Sequence, residues 1–512
     1  MKNRAKVVTY DIGTTGLKTC IFEIGTNIKL LGAETMCYKL HILDNGGAEQ
    51  DPMEWWSAMR VTTGKLVAKT GIDPASIAGI SFCSQMQGLV LVGRDGRPLR
   101  LAMTYMDQRA GQEMQDSINH GLTVSGINLF KLIKSIRETG AVNASVKDPV
   151  WKYKWVEKHE PAIFAQTYKW LDVKEFLICR CTGRFVMTED SAFAALLYNI
   201  REGKQGWSSS ICRMLGVDMG HLAEIVKSTE RVGGLTAEAA HELGLAEGTP
   251  VIGGGGDASL IGVGAGSVAT GDTHIYAGTS GWVSTVVEKP LLDTSAMVAA
   301  IVGAQPGKYN YFAELETAGK CLEWVRESIK LDYGSLERLA GKAAPGSGGV
   351  IFAPWLHGNR CPFEDSNARG IYFNLKLITG QKELVRAVLE GICYHLRWML
   401  EVQARKVQTG DVLRFAGGGA LSEVTGRILA DITGRPVQSI ENPQNAGAVG
   451  AAVMIGLNLG LIGSFEEAGK MIRIHKTFAP DPRNHETYEN GFTVFKQLHK
   501  SNKKLFSALN QV

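Results

Sequence analysis

KVVTYDIGTTGLKTCIFEI, residues 6–24, reads as a strand, a tight turn and a second strand. Val7, Val8 and Tyr10 form a β-prone run, Gly13-Thr14-Thr15-Gly16 makes the turn, and Leu17 to Ile24 resumes the β pattern. The pattern returns about half the chain later. HIYAGTSGWVSTVV, residues 274–287, sets Gly278-Thr279-Ser280-Gly281 between two further β runs. One glycine turn is a weak signal. Two of them, each opening one half of the chain, point to two related lobes facing one cleft.

Working outward, DPMEWWSAMRVTTGKLVAKTG (51–71) opens on Asp-Pro and has apolar residues at helical spacing, a capped amphipathic helix. IAGISFCSQMQGLVLVGRDGRPL (77–99) gives two β runs and an Asp95-Gly96 turn. Strands and helices alternate onward, which argues α/β. PVIGGGGDASLIGVGAGSVATGD (250–272) is dense in glycine, yet its Val-Ile and Leu-Ile pairs are unlike a flexible linker. The lobe boundary is expected there, dividing the chain into 1–264 and 265–512.

A length of 512 residues fits two large domains or about three. With 45% hydrophobic and 21% charged residues, the composition excludes a mainly disordered chain. Glycine is in excess at 60 residues while proline is only 15, so tight turns and ligand loops are expected rather than linkers. A net charge of +4, with no basic run, excludes a nucleic-acid footprint. The nine cysteines are scattered and lack zinc spacing, so they read as reduced thiols of a cytoplasmic protein. The apolar run after Lys6 is too short for a secretion signal. Residues 442–465 carry no charge, but five glycines and several polar residues make them a tightly packed buried helix, so no membrane partner is expected.

No P-loop, GxGxxG, HExxH or GxSxG motif is present. Three glycine turns remain. Gly13, Thr14 and Thr15 can offer backbone N–H groups and hydroxyls to phosphate oxygens, and Asp11 just before them can hold a hydrated Mg²⁺. Gly278 and Thr279 offer the same from the second half. VLRFAGGGALSEVTGRILADITG (412–434) reads strand, glycine turn, helix, and Gly417 and Gly418 would let a flat ring lie against the backbone. Each turn alone is also a plain structural turn. Asp257, after four glycines, is a candidate general base for a hydroxyl acceptor, and the same position suits a helix N-cap. Gln85-Met86-Gln87-Gly88 is either a sugar contact or a strand-end turn. Tyr105 to Arg109 supplies either a salt bridge, surface pairing included, or a substrate contact.

Taken together, these motifs resemble the FGGY carbohydrate kinases, and most of all the xylulokinase-type members. The likeness runs through DIGTTGLK (11–18), EQDPMEWW (49–56), ISFCSQMQGLVLVGRDG (80–96), the P-x-x-K-x-x-W run at 149–155, GGGGDAS (253–259), YAGTSGW (276–282), PWLHGNRCPFEDSNARG (354–370), ELVRAVLEG (383–391), FAGGGALS (415–422) and NAGAVGAA (445–452). The resemblance implies an α/β, actin-like (ribonuclease H-like) two-lobe fold, each lobe a mixed sheet flanked by helices. It implies ATP and Mg²⁺ as cofactors, and a ketose such as D-xylulose, or another sugar or polyol, as acceptor. By the family pattern Asp257 is the catalytic base and Asp11 positions the metal. Gly13, Thr14, Thr15, Gly278 and Thr279 meet phosphate, and Gly417 and Gly418 line the adenosine site. Met86, Gln87, Asp257 and Ala258 contact the sugar. The chain departs from the xylulokinase pattern at Gln87, usually His, and Ala258, usually Asn. A homodimer is an assembly the family leaves open to it. Two other readings compete: an ATP-binding clamp without sugar chemistry, and a lapsed member that senses a sugar.

Overall fold

A computed structural model describes residues 4–124 and 126–510. The chain divides into two compact units. The first comprises residues 1–264, 301–309 and 447–471, and the second 265–300, 310–446 and 472–512.

The first unit is built on a seven-stranded mixed sheet. Strands β1 (Ala5–Ile12) and β2 (Gly16–Ile24) form the expected hairpin, and β3 (Ile28–Cys37) extends it antiparallel. Beyond α1 (Pro52–Thr70), β4 (Ile77–Ser84) returns parallel to β1. β5 (Arg231–Gly234), β6 (Pro250–Ile252) and the short β7 (Gly255–Gly256) complete the sheet, with β6 and β7 both parallel to β4. The ends of α1 are set by chemistry readable in the chain. Asp51 accepts the N–H of Met53 at the start, Pro52 follows, and Gly71 closes the helix in a left-handed turn. Buried Trp55, Trp56, Met59 and Leu66 on α1 join Val8, Tyr10, Ile80 and Phe82 of the sheet in one core.

The uncharged stretch forms a helix over Ala446–Asn458. It lies against β4 and the helix Asp257–Gly264, and small residues make the close approach possible. A Cβ on Gly450 would stand 2.3 Å from the Leu260 carbonyl oxygen, and one on Gly447 would stand 2.6 Å from the Cys83 sulfur. Among the described residues no helix is long and apolar enough to cross a membrane.

The second unit repeats the plan. Its eight-stranded sheet contains β8 (Thr273–Ala277), β9 (Gly281–Val287), β10 (Leu292–Asp293), β11 (Val298–Val302), β12 (Tyr309–Leu315), β13 (Leu413–Ala416), β14 (Val437–Ile440) and β15 (Ile474–Phe478). The order across the sheet is β10-β11-β12-β9-β8-β13-β14-β15. β8 and β9 form a hairpin, as β1 and β2 do, and β13 runs parallel to β8, as β4 does to β1. The helix Gln381–Ala404 packs on this sheet, with Gln403 bonding the Val283 and Tyr311 carbonyls.

Candidate active site

In the first unit the singled-out residues sit at the carboxyl ends of neighbouring strands, where open α/β sheets bind ligands. Asp11 stands near the end of β1, opposite Lys18 of the hairpin and Cys83 of β4. Gly255 pairs with the same Cys83 from the other side, and Gly256 pairs with Ser84. β4 therefore lies between the strand that carries Asp11 and the strand that delivers Asp257. Burial pushes the Asp11 carboxyl above its ordinary range, while Lys18 and a hydrogen bond with Cys83 pull it back. Burial and the charges of Asp11 and Asp257 push the Cys83 thiol well up, so it stays protonated.

The Gly13–Thr15 turn is tied by side chains. The Tyr38 hydroxyl donates to the Gly13 carbonyl, and Gln50 Nε2 donates to the Thr14 carbonyl at 2.6 Å. Gln85 Nε2 in turn donates to Gln50 Oε1 at 2.8 Å, and the Thr14 and Tyr105 hydroxyls lie 3.2 Å apart.

Asp257 is the first residue of α2 (Asp257–Gly264), and its Oδ1 accepts the Ala258 N–H at 2.8 Å. The helix-capping reading thus has geometric content, and it leaves the residue half-buried beside Ala258 in an otherwise buried stretch. The glycines before it are required by close contacts. Gly254 holds φ +67°, and a Cβ there would stand 2.1 Å from the Phe82 carbonyl oxygen. Gly256 lies under Met86, whose sulfur would be 2.1 Å from an added Cβ. Met86 is thereby placed against the residue preceding Asp257.

Gln85–Gly88 does more than end a strand. Gln87 adopts φ +63°, unusual for a residue with a side chain, and its amide reaches the Ala194 carbonyl at 3.4 Å. Ionic groups surround this stretch, and of them the sequence singled out Lys152 alone. Asp172 accepts the Gln87 and Gly88 N–H groups, and Lys152 donates to the Gln87 carbonyl at 2.8 Å. Burial pushes Lys152 down to about 8 against the pull of Asp107, Asp172 and Asp148. Burial and the charge of Glu175 push Asp172 up. Asp190 accepts the Gly256 N–H at 2.7 Å, and fully buried Lys174 bonds Glu175, Thr188 and Ser191. Lys152 falls in the P-x-x-K run. Asp172 and Asp190 gave no local signal, because the backbone groups they hold at Gln87 and Gly256 lie 85 and 66 positions away.

Tyr105–Arg109 resolves toward ion pairing, and the pairing is buried, not superficial. Arg109 bonds Asp107 at 2.7 Å and Glu49 at 2.8 Å, with its guanidinium over the Trp155 ring.

In the second unit β8 and β13 bring two glycine turns together. Tyr276 pairs with Ala416, so Gly278-Thr279 and Gly417-Gly418 leave adjacent strand ends. Gly417 holds φ +90°, and a Cβ there would stand 2.5 Å from the Ala277 carbonyl oxygen. Gly418 is exposed, with nothing within 4 Å of an added Cβ. The Gly278 and Thr279 carbonyls accept the N–H groups of Gly319 and Lys320, which open the helix Gly319–Ile329. Beside the Gly417 turn lies a cavity of about 390 Å³ whose wall includes Leu421, Glu423, Asn442 and His475.

The family models for the N-terminal and C-terminal domains of the FGGY family of carbohydrate kinases match residues 7–264 and 274–459. The chain belongs to this family. It is a sugar kinase, with a sugar and ATP as its substrates. The xylulose kinase of Bacillus subtilis (strain 168) is 28% identical, covering 98% of each chain. A ligand-bound xylulose kinase from Lactobacillus acidophilus superposes with TM-score 0.87 at 26% identity, covering 99% of this chain and all of the other. A gluconate kinase from Lactobacillus acidophilus does so with TM-score 0.87 and 26% identity over the same shares.

Proposed function

We propose that this FGGY kinase transfers the γ-phosphoryl group of ATP to a terminal hydroxyl of a ketose, D-xylulose first among the candidates, with Asp257 as general base. One observation carries the reading. Asp257 follows a glycine run that admits Met86 against Gly256, and it shares the Cys83 neighbourhood with Asp11. A carboxylate so placed can take the proton of an acceptor hydroxyl as the oxygen attacks phosphorus in line. Met86, Gln87 and Ala258 contact the sugar. Thr14 and Thr15 with Gly13, and separately Gly278 and Thr279, meet phosphate oxygens, and Gly417 and Gly418 support adenosine. Residues 1–264 thus carry acceptor and base, and residues 265–512 the nucleotide-binding half.

Asp11 would hold a hydrated Mg²⁺, and its donor chemistry fits. It is a buried carboxyl whose burial disfavours the ionised form, a cost that a nearby cation offsets. When bound, the ion neutralises charge on the transferring phosphoryl group.

The test is ADP release with Mg-ATP and a panel of ketoses, alditols and aldonates, with Asp257→Ala beside the wild type. One strong acceptor should appear, and the variant should lose at least about 10²-fold in kcat, the lower range for removing positioned acid–base chemistry. ATP binding should be nearly unchanged. Wild-type turnover in the variant sinks the base assignment. A second reading, an aldonate or other polyol as acceptor, is favoured by Gln87 and Ala258, which depart from the xylulokinase pattern. A gluconate response exceeding that to D-xylulose would establish it.

A further inference from the structure

The main chain at Gln87–Gly88 is gripped by two buried, oppositely charged side chains from distant parts of the chain. Asp172 is 4% exposed and Lys152 is 0% exposed. Asp172 Oδ2 accepts the Gln87 N–H at 2.9 Å, and Oδ1 accepts the Gly88 N–H at 2.8 Å. The same Oδ1 accepts the Val173 N–H at 2.8 Å and so fixes the start of the helix Val173–Thr182. Lys152, on the helix Pro149–His159, donates to the Gln87 carbonyl at 2.8 Å. Gly88 has no side chain to keep the carboxylate away; an added Cβ would stand 2.7 Å from Asp172 Oδ1.

Burying two charges to satisfy three backbone groups is an expensive way to hold a turn. What they hold is a residue at φ +63° with a side chain, a conformation it would leave if released. On one side of it Met86 lies over Gly256, next to Asp257. On the other the Gln87 amide points to the Ala194 carbonyl.

We propose that Lys152 and Asp172 are positioning residues for the acceptor sugar, clamping Gln87–Gly88 in its left-handed turn so that Met86 and Gln87 are presented in one orientation. The proposal rests on the reading of Met86 and Gln87 as sugar contacts.

The full-length enzyme is compared with Asp172→Asn and Lys152→Met, each alone and combined with Gln87→Gly, and with Gln87→Ala. Sugar KM, ATP KM and kcat are measured, together with hydrogen exchange at the Gln87 and Gly88 amides without sugar. Asparagine keeps the shape of Asp172 but turns an N–H₂ toward at least one of the three N–H donors that the carboxylate satisfies. Asp172→Asn and Lys152→Met should each raise sugar KM about tenfold or more, the scale of a hydrogen bond to a charged group. ATP KM should change less than about twofold, and exchange at both amides should accelerate about tenfold. In the Gln87→Gly background the KM penalty should shrink, because glycine adopts the turn unaided. A parallel rise in both KM values, or a penalty undiminished by glycine, overturns the clamp. So does unchanged exchange alongside a Gln87→Ala effect on sugar KM. If exchange accelerates but Gln87→Ala leaves sugar KM untouched, the sugar-contact reading fails instead, and the proposal falls with it.

Discussion

The hairpin turns at 13–15 and 278–280 have the same backbone plan, but they are held differently and carry different chemistry. In the first unit the strand brings Asp11, a buried carboxyl, to the position two residues before the turn glycine. In the second unit that position is Tyr276, whose ring stacks on Trp282 at 3.9 Å between centroids. The first turn is tied by side chains, Tyr38 and Gln50, to its carbonyls. The second is tied by backbone, its carbonyls accepting Gly319 and Lys320 N–H groups. A duplicated plan has thus divided its labour. On the reading proposed above, the first copy would supply a charged ligand for a cation, and the second a shaped backbone beside an aromatic ring.

The widest expected gap between the copies is electrostatic. Asp11→Asn should reduce kcat about 10²–10³-fold, the range for removing one preorganised electrostatic group. Raising Mg²⁺ concentration should recover part of it. Tyr276→Phe keeps the stack on Trp282 and should stay within about threefold of wild type, since no charge is lost. Equal losses in the two variants would end the division of labour.

Steric demands reverse the ranking. Gly417 abuts the second turn at φ +90°, ψ 178°, a region open essentially only to glycine. With an added Cβ also 2.5 Å from the Ala277 oxygen, Gly417→Ala should cost about 2 kcal/mol of stability and lower the melting temperature. Gly13 is roomy by comparison, its added Cβ meeting nothing nearer than 3.5 Å. Gly13→Ala should therefore melt like wild type and show its effect in ATP KM. An unchanged ATP KM would overturn the proposed phosphate role of that turn.

Much of this fold was legible because its signals are local. Turn glycines between β runs, the Asp51–Pro52 start and Gly71 stop of α1, and the small-residue run at 446–458 all act within a few residues. Residues 447–458 of that helix and the segment 301–309 nonetheless belong to the first compact unit, which no single cut in the sequence conveys. At the candidate site, the backbone stretches that end strands could be read from the sequence. The groups that orient them could not. Asp172 acts on a residue 85 positions away and Asp190 on one 66 away, and neither sits in a motif. Charges buried by tertiary packing leave no periodicity to read.

Buried charge also separates the units by pH. In the second unit Arg386, bonded to Glu390 and Tyr488, is raised above its already high ordinary value and stays charged. In the first, Lys152 faces Asp107, Asp148, Asp172 and Lys147, yet burial prevails and takes it from 10.5 to about 8. A folded value below the unfolded one means that the unfolded chain binds more protons between pH 8 and 10.5. Stability from this group therefore rises with pH across that window, by at most about 1.4 kcal/mol per unit. Below pH 8 the cost of burying the ammonium applies in full. Lys152→Met removes the slope, so the stability of the variant relative to wild type should fall steadily from pH 8 to 10. A difference independent of pH would mean that the surrounding carboxylates hold the ammonium charged throughout.

The smallest expected effect tests the anchoring of the first turn. Tyr38→Phe deletes the one hydroxyl that fixes the Gly13 carbonyl, and nothing else in the ring's packing need change. Loss of a neutral hydrogen bond predicts about 1 kcal/mol in stability, and a rise of a few-fold in ATP KM if carbonyl orientation sets the turn. Gln50 holds the next carbonyl, so Tyr38→Phe and Gln50→Leu act on one loop and should be non-additive in ATP KM. The second turn is anchored by backbone, the Gly278 and Thr279 carbonyls accepting the N–H groups of Ala318, Gly319 and Lys320. Additive effects from Tyr38 and Gln50 would mean that each carbonyl is held separately, and that the first turn does not respond as one unit.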